Sequence, residues 1–165
     1  MRLWLTKLES RGDTVSRFCA LFGMLFLVAL ALITNVDVFM RWMFNNPIDG
    51  VTDVAPLMVA IVIASFFPLA LAGRHHISIS LIGNLFGPRG TAWLEAAAAL
   101  VTLAFFVLLA WQFIVYTIDL DARGQTTWVV QLPVAPWWTV VSFFTVLCVA
   151  VQLIVLLTLL GRALR

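Results

Sequence analysis

Charged residues are scarce in this sequence of 165 residues. They make up 11% of the chain, against about 25% in an average globular protein, while hydrophobic residues make up 63%. The charges are absent from four long runs: 18–36, 54–73, 96–118 and 124–161. About 20 apolar residues in a helix span the roughly 30 Å hydrocarbon core of a bilayer. The composition therefore excludes a soluble globular enzyme and predicts an all-α integral membrane protein with four transmembrane helices.

Cysteine and histidine are also rare, and their positions argue against a metal or redox site. The two cysteines, Cys19 and Cys148, fall inside predicted spans, so we expect neither a disulfide framework nor a cysteine metal site. The two histidines, His75 and His76, are adjacent and therefore point in different directions, whereas a membrane haem usually takes its axial ligands from facing helices. No nucleophile with a base and no carboxylate pair is assembled. We expect no enzyme activity, no cofactor and no metal.

The basic residues predict the topology. With a cytoplasmic N-terminus, the outer side carries only Arg41 and Arg123. The inner side then carries eight basic residues: Arg2, Lys7, Arg11, Arg17, Arg74, Arg89, Arg162 and Arg165. Because Lys and Arg in short loops favour the cytoplasmic side, we expect both termini in the cytoplasm. The net charge of +2 follows from this distribution, and we expect no nucleic-acid partner.

Charge, proline and glycine set the expected boundaries of the elements within one membrane domain, residues 1–165. The first span is expected to continue to residue 44, because Asp37 and Arg41 are spaced i,i+4 with the acid first, the favourable order. Thr52 or Asp53 is expected to cap the second span. The predicted elements are an interfacial amphipathic helix over 1–16, spans over 18–44, 54–73, 95–118 and 137–161, an interfacial segment over 75–86, and an external loop over 119–136.

Spans two to four carry no ionisable group in their cores. Secondary transporters usually place charged groups and broken helices near the midplane. Gln112 and Gln152 are uncharged, and we expect them to form interhelical hydrogen bonds rather than to hold a substrate. The chain therefore does not look like a transporter that works alone.

The remaining charges cluster on the predicted outer side. The first group is Asp37, Arg41, Asp49 and Asp53, and the second is Asp119, Asp121 and Arg123. These residues are either ordinary solvated loop residues, whose exposed ion pairs are individually weak, or the docking surface for another protein. Both readings are open at this point.

Three segments in order suggest a family. They are NVDVFMRWMFNNPI at 35–48, HISISLI at 76–82 and LPVAPWW at 132–138. With the four spans and the topology, they resemble the small permease subunit (DctQ type) of tripartite ATP-independent periplasmic (TRAP) transporters. The motif residues to which the resemblance assigns a structural role are Pro47, His76, Pro136, Trp137 and Trp138. The sequence departs from the family at Asp53, where glutamate is common. Aspartate keeps the charge but has a shorter side chain, so its contacts can differ from those of the glutamate in the family.

The resemblance implies a small subunit of a solute importer that is driven by an ion gradient, as in sodium symport, rather than by ATP. A large permease of many spans would hold the solute and ion sites, and a periplasmic substrate-binding protein would deliver the solute. The implied location is the bacterial inner membrane, with apolar helix faces against lipids and the large permease. The substrate-binding protein is expected at 41–53 and 119–128. The expected docking residues are Asp37, Arg41, Asn45, Asp49, Asp53, Asp119, Asp121 and Arg123.

Two other classes remain as alternatives. The chain could be a cofactor-bearing membrane anchor of a redox complex, in which His76 would be the candidate ligand. It could also be a small self-assembling channel or exporter, which would need a carboxylate within the membrane. The nearest candidate for that carboxylate is Asp37, which lies at a predicted helix end beside a basic partner.

Overall fold

Four helices account for most of the chain. The structure, a computed structural model, describes residues 2–73 and 87–163, with the side chains of 12–73 and 90–161. The helices are α1 (Arg2–Phe44), α2 (Val51–Ala72), α3 (Gly87–Ala122) and α4 (Ala135–Ala163). Each contains a stretch long and apolar enough to cross a membrane: Gly12–Phe44, Val51–Ala72, Gly90–Ala122 and Ala135–Gly161. The prediction of four such helices is confirmed.

The structure tests neither of the two predicted interfacial segments. Residues 2–16 are the first turns of α1, which continues without a break to Phe44. Their location at a membrane interface stays a prediction, as does the cytoplasmic position of the termini. The predicted interfacial segment over 75–86 lies outside the described residues.

Local sequence explains where α1 ends. Asn45 follows its last residue with a φ of 49°, the left-handed conformation that often ends a helix and that asparagine adopts more readily than most residues. Pro47 then disfavours any continuation, because its ring fixes φ and it lacks an N–H. The chain turns here and enters α2 at Val51.

Helix α4 is the centre of the bundle. Its backbone lies against those of α3, α2 and α1, and α1 also packs along α2. Within the described part of the chain, the backbone of α3 comes close only to that of α4. Buried side chains from α1, α2 and α4 form one core cluster, consisting of Cys19, Ile61, Ala64, Val141 and Phe144. A second cluster joins α3 to α4 and consists of Ala96, Ala99, Val155, Leu156 and Leu159.

Helices α1 and α2 pack closely at Gly23. A methyl group at this position would overlap the hydroxyl of Ser65 on α2. Ser65 is fully buried, and its hydroxyl donates a 2.7 Å hydrogen bond to the carbonyl of Val62 within its own helix. Small residues at a helix interface allow such close packing in a membrane, where dispersion contacts rather than water exclusion hold helices together.

The helices differ in how much of their apolar surface the fold covers. In the most apolar stretch of each helix, 50% of residues are buried in α4 and 39% in α2, but only 17% in α3 and 11% in α1. Since α3 and α1 are as apolar as α2, their uncovered faces require lipid or another membrane protein as a neighbour.

Candidate functional site

Two loops meet at one end of the bundle, which we call the loop end. It comprises loop 45–50 between α1 and α2, loop 123–134 between α3 and α4, and the adjoining turns of the helices. All eight predicted docking residues lie there, and two of their carboxylates, those of Asp37 and Asp53, bind loop backbone. The loop end is therefore a connected structure rather than two independent loops.

Asp37 connects the last turns of α1 to the first loop. Its Oδ2 accepts a 2.9 Å bond from Arg41 Nη2, so the predicted i,i+4 ion pair is confirmed. Its Oδ1 accepts a 2.7 Å hydrogen bond from the backbone N–H of Ile48, a contact that the sequence analysis did not anticipate. The side chain of Asp37 is only 6% exposed, whereas that of Arg41 is 56% exposed. Burial and a backbone donor make Asp37 a structural anchor of the first loop.

Asp53 connects α2 to the second loop. Its Oδ2 accepts hydrogen bonds from the backbone N–H groups of Val129, at 2.6 Å, and Val130, at 3.2 Å. The predicted cap of α2 by Thr52 or Asp53 is wrong, because the helix begins at Val51 and its N-cap is Gly50, with no side-chain cap bond. Because the helix begins at Val51, Asp53 lies in its first turn. From there its carboxylate binds the backbone of loop 123–134.

Gly50 allows the first loop to pack against Val130 of the second loop. Its φ of 92° is left-handed, a conformation that glycine adopts without steric cost. A side chain at this position would also overlap Val130, which lies directly against Gly50. Gly50 thus has two roles: it forms the turn into α2, and it leaves room for Val130 of the second loop to pack against it.

Backbone hydrogen bonds close the second loop into a short hairpin. Thr127 donates its N–H to the carbonyl of Leu132 at 2.9 Å, and its hydroxyl accepts the N–H of Leu132 at 3.0 Å. Val134 donates to the carbonyl of Gln125 at 3.0 Å. We call residues 128–130 the loop tip. Trp128 at its start is 97% exposed. It is the last residue of the docking range predicted from the sequence, 119–128, which leaves out the rest of the tip.

The other predicted docking residues lie on the surface of the loop end. Asp119 and Arg123 form an i,i+4 pair at 2.9 Å, with both side chains largely in solvent. Asn45, Asp49 and Asp121 are exposed, and their side chains bond to none of the described residues. The predicted set thus contains two carboxylates that bind loop backbone, three side chains whose bond is an ion pair, and three exposed side chains that bond to none of the described residues.

The motif residues at the start of α4 pack against α3. Trp138 meets Tyr116 edge to face, with ring centroids 4.8 Å apart, and Phe113 at 5.4 Å. Pro136 lies in the first turn of α4, where a missing N–H costs little. Trp137 is half-buried and packs on the first core cluster. Pro47 is exposed in the first loop, and His76 lies outside the described residues.

The two glutamines of the apolar spans behave differently. Gln152 is fully buried, and its Nε2 donates a 3.0 Å bond from α4 to the carbonyl of Ala99 on α3. The predicted interhelical bond is therefore confirmed for Gln152. Gln112 is exposed on α3, and its side chain bonds to none of the residues that the structure describes. Within residues 2–73 and 87–163, no group of three or more His, Cys, Asp or Glu is arranged to hold a metal ion.

Comparison with known families supplies a match over most of the chain. A family model described as "Tripartite ATP-independent periplasmic transporters, DctQ component" matches residues 30–162. The matched range contains α2, α3, nearly all of α4 and the entire loop end. No curated protein and no solved structure shows significant similarity to the chain.

Proposed function

The chain belongs to the DctQ component family of tripartite ATP-independent periplasmic transporters, and from this premise we propose that it scaffolds a larger permease and helps to dock a soluble substrate-binding protein. We call that soluble protein the receptor. The transporter imports its solute with an ion gradient, such as sodium, and the solute and ion sites lie on the larger permease. The DctQ family is a family of transporter components, not of enzymes.

The proposed orientation places the loop end on the periplasmic side of the membrane. Of the basic residues, only Arg41 and Arg123 belong to the loop end; the other eight lie toward the termini, in the segment between α2 and α3, or in the first turn of α3. The excess of basic residues marks the cytoplasmic side of an inner membrane. The loop end then faces the periplasm, where a soluble receptor can reach it.

The observation that carries the docking proposal is the connection of both loops to the helices. Asp37 holds the backbone of the first loop and Asp53 holds that of the second. A surface ordered before binding loses less conformational entropy when a partner arrives. Asp49 and Asp121, which are exposed and form no ion pair with the described residues, give this ordered surface an acidic character, which suits a receptor with a basic face.

The exposed face of α3 supports the scaffolding proposal. Gln112 lies on it together with Phe105, Leu108 and Val115, which recur at helical spacing and are all exposed. An amide in contact with lipid lacks a hydrogen-bond partner, which is unfavourable in a membrane. A neighbouring membrane protein can supply that partner, so we place the larger permease against this face of α3.

Charge reversal at the loop end tests docking. We expect Asp49→Lys and Asp121→Lys to weaken receptor binding and to change its dependence on salt, because both residues are exposed and neither holds the loops. The matched control is Asp13→Lys, which makes the same charge change at an exposed site on the opposite end of α1. Docking at the loop end is wrong if all three variants bind the receptor as the unchanged protein does.

Crosslinking tests scaffolding. A photoreactive residue at position 108, on the exposed face of α3, is expected to form an adduct with a membrane protein much larger than this chain. The control is position 144, which is buried in the bundle and is expected to crosslink only within the chain. Adducts with lipid alone at position 108 would contradict the placement of the permease. Solute uptake by the purified chain alone in liposomes under a sodium gradient would contradict the scaffold role itself.

A further inference from the structure

The loop tip presents an apolar surface that no described part of the chain covers. Trp128 is almost fully exposed, and Val129 and Val130 are 56% and 44% exposed. Tryptophan has one of the largest apolar side-chain surfaces, and at position 128 nearly all of that surface is in contact with solvent. Exposed apolar groups bordered by polar residues commonly mark an interaction site.

The loop tip is also held in one geometry. Asp53 accepts the N–H groups of both valines, and Gly50 lies against Val130. The hairpin bonds between Thr127 and Leu132 close the loop directly behind the tip. These contacts fix the backbone of the loop tip, while the side chain of Trp128 remains exposed. An exposed aromatic side chain on a fixed backbone is preorganised to act as an anchor.

We propose that Trp128 is the anchor by which the loop end binds the receptor, entering an apolar cleft that lysine and arginine side chains border. Asp53 is a positioning residue, which acts by fixing the backbone that carries Trp128. This inference rests on the proposed docking function and adds to it the residue that contributes most of the affinity.

Charge at the loop end favours a protein partner over the bilayer surface. The loop end carries five aspartates, Asp37, Asp49, Asp53, Asp119 and Asp121, against two arginines, Arg41 and Arg123. A net negative surface is repelled by anionic headgroups and attracted by a basic rim around a cleft. Central aromatic residues within a polar rim are the usual source of affinity in such interfaces.

The first test measures receptor affinity of the complete transporter in nanodiscs. We expect Trp128→Ala to raise the Kd for the receptor about 30-fold, as for a typical aromatic hot spot, and Trp128→Phe to raise it less. In proteoliposomes, the receptor concentration for half-maximal uptake should rise while the maximal uptake stays unchanged. The control is Trp93→Ala, which removes an exposed tryptophan from the other end of α3. An unchanged Kd for Trp128→Ala overturns the proposal.

A double-mutant cycle tests the role of Asp53. If Asp53 acts through Trp128, Asp53→Ala should weaken receptor binding in the unchanged protein and have little further effect in the Trp128→Ala background. In the Asp121→Lys background, Asp53→Ala should cause the same loss of binding free energy as in the unchanged protein, because Asp121 makes an independent contact with the receptor. Equal effects of Asp53→Ala in both tryptophan backgrounds would show that Asp53 does not position Trp128.

An environment-sensitive fluorophore at position 128 identifies the partner. Trp128→Cys supplies an exposed attachment site, and the unchanged protein controls for labelling because Cys19 and Cys148 are buried. A blue shift that occurs only when the receptor is added supports the proposal. A blue shift on reconstitution into lipid without receptor assigns the tip to the bilayer, and loss of permease co-purification in Trp128→Ala assigns it to the permease. Either result overturns the proposal.

These variants distinguish docking at the loop end from anchoring by Trp128. If Asp49→Lys and Asp121→Lys weaken receptor binding but Trp128→Ala does not, docking at the loop end stands and the anchor is wrong. If none of these variants changes receptor binding, the docking function and the anchor are both wrong.

Discussion

Replacement of Asp37 tests whether the first loop depends on a single buried carboxylate. Asp37→Ala removes a charge-assisted hydrogen bond to the N–H of Ile48, which contributes about 1.5–3 kcal/mol when buried. It also removes the pair with Arg41, which contributes only about 0.3–0.5 kcal/mol because the arginine is half in solvent. We therefore expect the free energy of unfolding to fall by about 2–3 kcal/mol.

Asp119 provides the matched control for this prediction. It forms the same i,i+4 pair with an arginine at the same 2.9 Å distance, but its side chain is 46% exposed and its carboxylate holds no loop N–H. Asp119→Ala should therefore cost only about 0.3–0.5 kcal/mol. Asp37→Asn, which keeps a neutral acceptor for the N–H of Ile48, should lie between the two.

Reversible unfolding in mixed detergent micelles, followed by circular dichroism as the fraction of denaturing detergent rises, measures all three variants. The difference between Asp37→Ala and Asp119→Ala isolates the contribution of burial and the loop bond. Equal losses for the two variants would refute the reasoning, because the ion pair alone would then account for the effect.

Three further predictions concern the helix interfaces. Gly23→Ala should destabilise the bundle by about 1–3 kcal/mol through overlap with Ser65, whereas Gly161→Ala, whose added methyl group would contact no described side chain, should not; the same unfolding assay compares them. Gln152→Leu should change stability by less than about 1 kcal/mol, because interhelical hydrogen bonds in membranes are weak and its Oε1 accepts no hydrogen bond from the described residues; a larger loss in that assay would contradict this. Cys148, fully buried, should react with a maleimide only after unfolding, as labelling followed by mass spectrometry would show.

Local sequence was sufficient to predict the helices and the contacts within them. A segment in lipid must satisfy its backbone hydrogen bonds internally, so length and lack of charge predict a helix without any periodicity. The pair between Asp37 and Arg41 is equally local, because residues four apart share a helix face. Such features depend on one segment at a time.

The contact between Asp53 and the second loop could not be predicted in this way. It joins atoms 76 residues apart in the chain, and the local rule for an aspartate near a helix start predicts a cap instead. Gly50 was the available signal, since a glycine directly before a helix permits a left-handed turn that moves the start of the helix. Which loop would then lie against that turn depends on the packing of all four helices.

The spatial order of the helices has a consequence for how the protein is made. The chain is synthesised from α1 to α4, and α1 and α2 can pair as soon as both have entered the membrane. The backbone of α3 approaches only that of α4 in the described structure, so α3 resides in the bilayer without its main partner until α4 has also been synthesised and inserted. A chain truncated between residues 122 and 135 would therefore leave α3 without that partner and open to quality-control proteases, whereas a chain truncated within 45–50 would leave only a single helix in the membrane.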